Sequence, residues 1–127
     1  MTDDLRVLVV DEDRDVLELT QTFLEREGDM TVATARSGAA AVERVEAEPF
    51  DAVVGDYRMP EMDGVELAAE IADRRPDLPY VLYTARPREA FDRDLAATAV
   101  TEHVEKDVGS DQYATLAETI RTLAADA

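Results

Sequence analysis

Cysteine is missing altogether from the 127 residues, so neither a disulfide nor a thiolate metal site contributes to this fold. No apolar run comes near the roughly 20 residues that a membrane helix needs, and the opening MTDDLR lacks the basic segment and apolar core of a secretory signal. A soluble cytoplasmic protein is therefore expected. Linkers, internal repeats and low-complexity segments are also absent, which predicts one domain over residues 1–127, long enough to bury a core without staples.

Positive charge is scarce. Against 30 Asp and Glu stand 13 Lys and Arg, a formal net charge of −17. Such a surface repels phosphate backbones and anionic headgroups, so direct nucleic-acid and membrane partners are not expected. The acids run from Asp3 to Asp126 among helix formers and periodic apolar residues, which argues against a disordered acidic chain. Salt should relieve the self-repulsion, since the screening length falls to about 3 Å at 1 M. The composition thus points to a halophilic host with a very salty cytoplasm. Lysine is scarcest of all: twelve of the thirteen cations are arginine, and Lys106 is the only lysine. A compact ammonium does what a planar guanidinium fork cannot, so a task specific to lysine competes here with a plain surface position.

What is present is organised around Phe50 to Gly64, FDAVVGDYRMPEMDG. The β-branched run reads as a buried strand, and PEMDG as a loop leading into a helix. Asp56 then lies at the carboxyl end of a core strand, where open α/β sheets bind their ligands. Along the rest of the chain, LRVLVV (Leu5 to Val10) is a continuous apolar strand running into the acids Asp11, Glu12 and Asp13. Val16, Leu17, Leu19, Thr20, Phe23 and Leu24 recur at helical spacing as far as Gly28. Met30 to Ala35 is a second strand, and Ser37 caps a second helix that ends before Pro49. Asp63 caps a third helix, and Leu78 to Thr84 is a fourth strand whose Pro79 is tolerable only near its start. A polar helix over 87–99, a short strand at His103 and Val104, and a last helix through Tyr113, Leu116, Ala117, Ile120 and Leu123 complete the alternation. Five strands alternating with five helices imply an α/β fold, a parallel sheet covered on both faces by right-handed crossovers.

Polar residues then gather at the carboxyl ends of the strands: the triplet after the first, Asp56 at the third, Thr84 at the fourth and Lys106 at the fifth. Carboxylates crowded in one crevice cannot all stay charged without a partner. Mg²⁺ takes oxygen ligands, keeps several waters and shares a phosphate, so it suits such a place. A lysine and a threonine would face that phosphate as point charge and hydroxyl donor.

In this order and at these spacings, VVDED, DYRMPEMDG, Thr84-Ala85 and Lys106 resemble the receiver domains of two-component response regulators, over essentially the whole chain. The resemblance implies a flavodoxin-like (CheY-like) doubly wound sheet with strand order 2-1-3-4-5. It implies that Asp56 accepts a phosphoryl group from the phosphohistidine of a sensor histidine kinase or phosphotransfer protein. Mg²⁺ would be held by Glu12, Asp56 and the backbone carbonyl of Arg58, with Asp11 acting through a water. Asp13 stands as the alternative to Glu12, because the acidic triplet lets the register slip by one. Thr84, the backbone of Ala85, and Lys106 would contact the phosphoryl oxygens, and Thr84 would move with a switch aromatic to change a surface read by an effector. Such a domain is a phosphoacceptor and not an enzyme, beyond slow self-phosphorylation from small donors and self-dephosphorylation. Dimerisation through the fourth helix and fifth strand is a family trait, to which the thin stripe of Phe91, Leu95 and Ala96 adds little.

The chain departs from the family pattern at three positions: His103 replaces the switch Tyr or Phe, Asp107 replaces the proline of a cis bond, and Ala99 replaces a glycine. His103 is either a pH-sensitive switch or a ring filling the same space. A haloacid-dehalogenase-type phosphatase would want Thr or Val where Asp15 stands, and a calcium loop would want glycine where Val16 stands. A receiver-fold scaffold that is never phosphorylated would not need Asp56, Thr84 and Lys106 together. No output domain follows the last helix, so the chain is expected either to dock onto another protein or to be the receiver portion of a longer one.

Overall fold

A computed structural model describes residues 4–85, 100–106 and 111–126. In chain order they form β1 (Leu5–Val10), α1 (Arg14–Glu25), β2 (Met30–Ala35), α2 (Gly38–Ala47), β3 (Ala52–Gly55), α3 (Gly64–Arg74), β4 (Tyr80–Thr84), β5 (Glu102–Glu105) and α4 (Asp111–Asp126). The helix expected over 87–99 lies outside the described residues, so four of the five expected helices are seen.

All strand pairs are parallel, in the order β2-β1-β3-β4-β5. The register brings the carboxyl ends of β1, β2 and β3 level and lets β4 and β5 run two residues further, because Val10 stands opposite both Ala35 and Gly55, Gly55 opposite Leu82, and Leu82 opposite His103. Alternate residues of the apolar runs serve opposite faces, as a sheet buried on both sides requires. Val7, Val9, Val54, Val81 and Tyr83 pack with Leu17 and Leu24 of α1 and Leu116 and Ile120 of α4. Leu8, Val10, Val53, Tyr80 and Leu82 pack with Val45 of α2 and with Leu67 and Ile71 of α3.

Helix boundaries follow their caps. Ser37 accepts from the Ala40 amide, and Asp63 forms a reciprocal capping box with Glu66. The end of α1 is followed by Gly28 at φ 89°, a left-handed conformation that glycine adopts without strain. The fourth strand begins later than its apolar pattern predicts. Leu78 and Pro79 precede the ladder, because Pro79 has no amide proton to donate and contributes only its carbonyl, to Val53 N at 3.0 Å.

Candidate functional site

The order of the sheet reverses between β1 and β3, which opens a crevice beyond their carboxyl ends. One more ladder bond past each strand fixes the residue that follows it. Asp11 N donates to Ala35 O at 3.1 Å, Asp56 N to Val10 O at 3.0 Å, and Lys106 N to Thr84 O at 2.8 Å. Three side chains far apart in sequence therefore meet. Lys106 Nζ stands 3.2 Å from Asp11 Oδ2 and 3.6 Å from Asp56 Oδ1.

Asp11 is the most enclosed of the three, its side chain 6% exposed against 18% for Asp56 and 21% for Lys106. Its other oxygen, Oδ1, accepts from Asp13 N at 2.9 Å, which folds the acidic loop back over the end of β1. Asp56 Oδ1 accepts from the Tyr57 amide at 2.8 Å. Burial pushes the Asp56 carboxyl above its ordinary value; the Lys106 charge opposes this and the Asp11 charge reinforces it. Asp56 is thus a comparatively basic carboxylate, kept in reach of one ammonium and open to solvent on one side.

The loop after Asp56 is tightly shaped. Gly64 N donates to Tyr57 O at 2.8 Å, and a Cβ on Gly64 would collide with the Asp56 carbonyl, so only glycine lets α3 start this close. Glu61 takes φ 68° while Met62 N bonds Pro60 O at 2.7 Å, a three-residue turn in a region that residues other than glycine seldom adopt.

The remaining expected site residues fall as follows. Thr84 is buried at the end of β4, and Ala85 is exposed just beyond it. Arg58 is exposed two residues past Asp56. Glu12 is exposed on the rim, where its carbonyl accepts from Arg36 Nη2 at 3.3 Å. Asp13 is committed elsewhere: its carboxylate caps α1, accepting from Asp15 N at 2.9 Å and Val16 N at 3.4 Å. The sequence reading favours Glu12 and keeps Asp13 as its substitute; in the structure Asp13 Oδ1 is engaged in the cap. His103 is half-buried on β5 opposite Leu82. Asp107 and Ala99 lie outside the described residues.

Among the described residues no three acidic or histidine side chains form a ready-made metal cage. The donor set nevertheless suits a hard cation that keeps most of its water: two carboxylates crowd one ammonium, and a chain of main-chain carbonyls follows Asp56. Sequence reading overlooked Tyr83, which it treated as one apolar position of a strand. The Lys106 ammonium lies 5.3 Å from the centre of its ring.

Residues 7–118 match the family described as the response regulator receiver domain. The chain is 32% identical over 110 residues to the alkaline phosphatase synthesis transcriptional regulatory protein PhoP of Bacillus subtilis, covering 87% of this chain and 41% of that protein. It is 36% identical over 92 residues to the response regulator receiver protein CpdR of Brucella abortus, covering 72% of this chain and 76% of the relative. Among solved structures, the response regulator protein TrrA of Thermotoga maritima, in complex with Mg(2+)-BeF, superposes with a TM-score of 0.82 at 32% identity, over 94% of this chain and 98% of that one. The chain thus spans less than half the length of PhoP but nearly all of TrrA. With the crevice at the strand ends and the sheet order already in place, these matches make the chain a member of the receiver domains of two-component response regulators.

Proposed function

We propose that Asp56 accepts a phosphoryl group, in a Mg²⁺-dependent step, from the phosphohistidine of a sensor histidine kinase or a phosphotransfer protein. The observation that carries this reading is the Lys106 ammonium shared between Asp11 at 3.2 Å and Asp56 at 3.6 Å. A carboxylate oxygen of Asp56 attacks phosphorus, the phosphorus–nitrogen bond breaks, and the imidazole nitrogen leaves with the electron pair. Because phosphoryl transfer is governed by positioning and charge, the chain's task is to hold the nucleophile in line and offset the charge on the equatorial oxygens. Lys106 supplies that offset, Thr84 a hydroxyl, and Ala85 a backbone amide. Asp11, Glu12, Asp56 and the Arg58 carbonyl would hold the metal, directly or through water; that Asp13 Oδ1 caps α1 supports Glu12 over Asp13. Bound there, Mg²⁺ would supply positive charge to offset the negative charge gathered at the transfer site. The metal and the beryllofluoride in the Thermotoga neighbour, at 32% identity, support this assignment.

The phosphorylated side chain would carry about −1.5 to −2 charges where the carboxylate carried one, drawing Thr84 and Lys106 toward it and repacking the surface around His103. That surface would be read by an effector protein or output domain, directly or through a homodimer. Among the described residues no helix is long and apolar enough to cross a membrane, which accords with a cytoplasmic location. The −17 charge remains the ground for a halophilic host.

Incubation with acetyl phosphate and Mg²⁺, followed by intact mass measurement, tests the proposal. The expected product is heavier by one phosphoryl group, requires Mg²⁺ and is lost in Asp56→Asn. A folded protein that forms no adduct would be a scaffold instead, and steady turnover of phosphoesters would mark a phosphatase.

A further inference from the structure

Tyr83 is buried in the layer beneath α1 and α4, yet one face of its ring meets the rim of the site. Lys106 Nζ lies 5.3 Å from the ring centre while reaching Asp11 and Asp56 at 3.2 and 3.6 Å. The ring is itself held from the far side. Its hydroxyl donates to Gln112 Oε1 at the start of α4, and the Tyr113 ring stands tilted by 58° at 6.4 Å. Tyr113 in turn stacks on Phe23 of α1, 4.6 Å between centres and 5° from parallel. Burial raises the hydroxyl's pKa, so the phenol stays neutral and donating.

A lysine stem is long and flexible, and two carboxylates on one side leave its ammonium several resting places. A third anchor of negative charge would shield the ammonium from an incoming phosphoryl group. An aromatic face attracts a cation without adding net charge, and it is easily outcompeted by a dianion. We propose that Tyr83 is a positioning residue for Lys106: its ring seats the ammonium between Asp11 and Asp56 and passes the ammonium's departure on to the Tyr113–Phe23 stack that joins α4 to α1. The seat stands on the resting geometry alone; the departure rests on Asp56 being the phosphoacceptor.

Lys106 being the only lysine, protein grown with ¹³C,¹⁵N-lysine gives one set of lysine side-chain signals. In the resting wild type, ring currents should hold the outer methylene protons upfield of their position in the unfolded chain. Tyr83→Phe should keep that shift and Tyr83→Leu should abolish it. Beryllofluoride with Mg²⁺ should move the wild-type signal downfield, and the Phe23 and Tyr113 ring signals with it. Phosphorylation by acetyl phosphate should slow about tenfold in Tyr83→Leu, equivalent to about 1.4 kcal/mol, and by less than about twofold in Tyr83→Phe.

An unshifted lysine in the resting wild type overturns the seat and needs no variant, so a Tyr83→Leu chain that failed to fold would not shelter it. Equal rates in folded Tyr83→Leu and wild type overturn the positioning role even where Asp56 is phosphorylated. A wild type that takes no phosphoryl group sinks the reading of Asp56 and, with it, the departure step, while the resting lysine shift still decides the seat.

Discussion

The two ends of the sheet handle charge in opposite ways. At the amino end, four guanidinium forks hold five carboxylates in solvent-facing ion pairs. Glu48 takes Arg6 at 2.9 Å and Arg44 at 3.0 Å, Arg74 bridges Glu46 and Glu70, and Arg121 holds Asp29 at 2.6 Å and Glu27 at 2.8 Å. Hydrogen bonds from Arg44 and Arg6 keep Glu48 below the ordinary carboxylate range, and Arg121 does the same for Asp29. At the carboxyl end two enclosed carboxylates share one ammonium, and Asp56 is pushed upward instead. One end is arranged for folding. The other encloses two carboxylates beside one ammonium, an arrangement that functional sites keep at the expense of stability.

The contrast can be broken most forcefully at Lys106. Lys106→Met should slow phosphorylation by acetyl phosphate by about 10²–10³-fold, the usual loss when one electrostatic donor leaves a transfer site. Lys106→Arg should not restore it, because a planar fork does not sit where a point charge does; intact mass followed over time reads both.

Asp56→Asn sharpens the contrast from the stability side. A raised carboxyl pKa costs stability above that pKa and costs nothing below the ordinary aspartate value, where folded and unfolded chains are both protonated. The variant should therefore be more stable than wild type at neutral pH, by about 1 kcal/mol, with the gain vanishing as the pH falls into the carboxylate range. Parallel urea titrations at several pH values check the sign, and a gain that grows in acid would reverse the assignment.

Tyr80→Phe should stabilise by about 1 kcal/mol, since the Tyr80 hydroxyl is fully buried with no hydrogen-bond partner among the described residues. The ring must stay, because it fills the space left by Gly55, where a Cβ would run into it. Smallest is the amino end: Arg121→Ala should cost under about 1 kcal/mol, as exposed ion pairs do, and less in concentrated KCl. The wild-type midpoint should meanwhile rise with KCl, because screening of the −17 net charge outweighs the weakening of a few surface pairs.

The apolar alternation and the caps made most of this fold legible before any coordinates. Ser37 and Asp63 begin their helices as their residue types require, and Asp11, Asp56 and Lys106 meet because parallel strands end at the same edge of the sheet. Legibility failed where one residue type serves two purposes. Asp13 is as acidic as Glu12, and only the path of the chain shows its carboxylate spent on the first turn of α1. Tyr83 reads as core because its ring is core; that one face also receives an ammonium depends on β4 and β5 lying side by side, which no local pattern records. The start of β4 was misplaced because apolar character ran through Leu78, while the ladder obeys the missing proton of Pro79.

The central claim is that Asp56, and no other acid of the rim, is the nucleophile. Borohydride reduction after phosphorylation converts an aspartyl phosphate to homoserine, and peptide mapping then locates it. Homoserine at position 56 alone, dependent on Mg²⁺, is the expected result; homoserine at Asp11 or Asp13 with Asp56 intact would contradict the account.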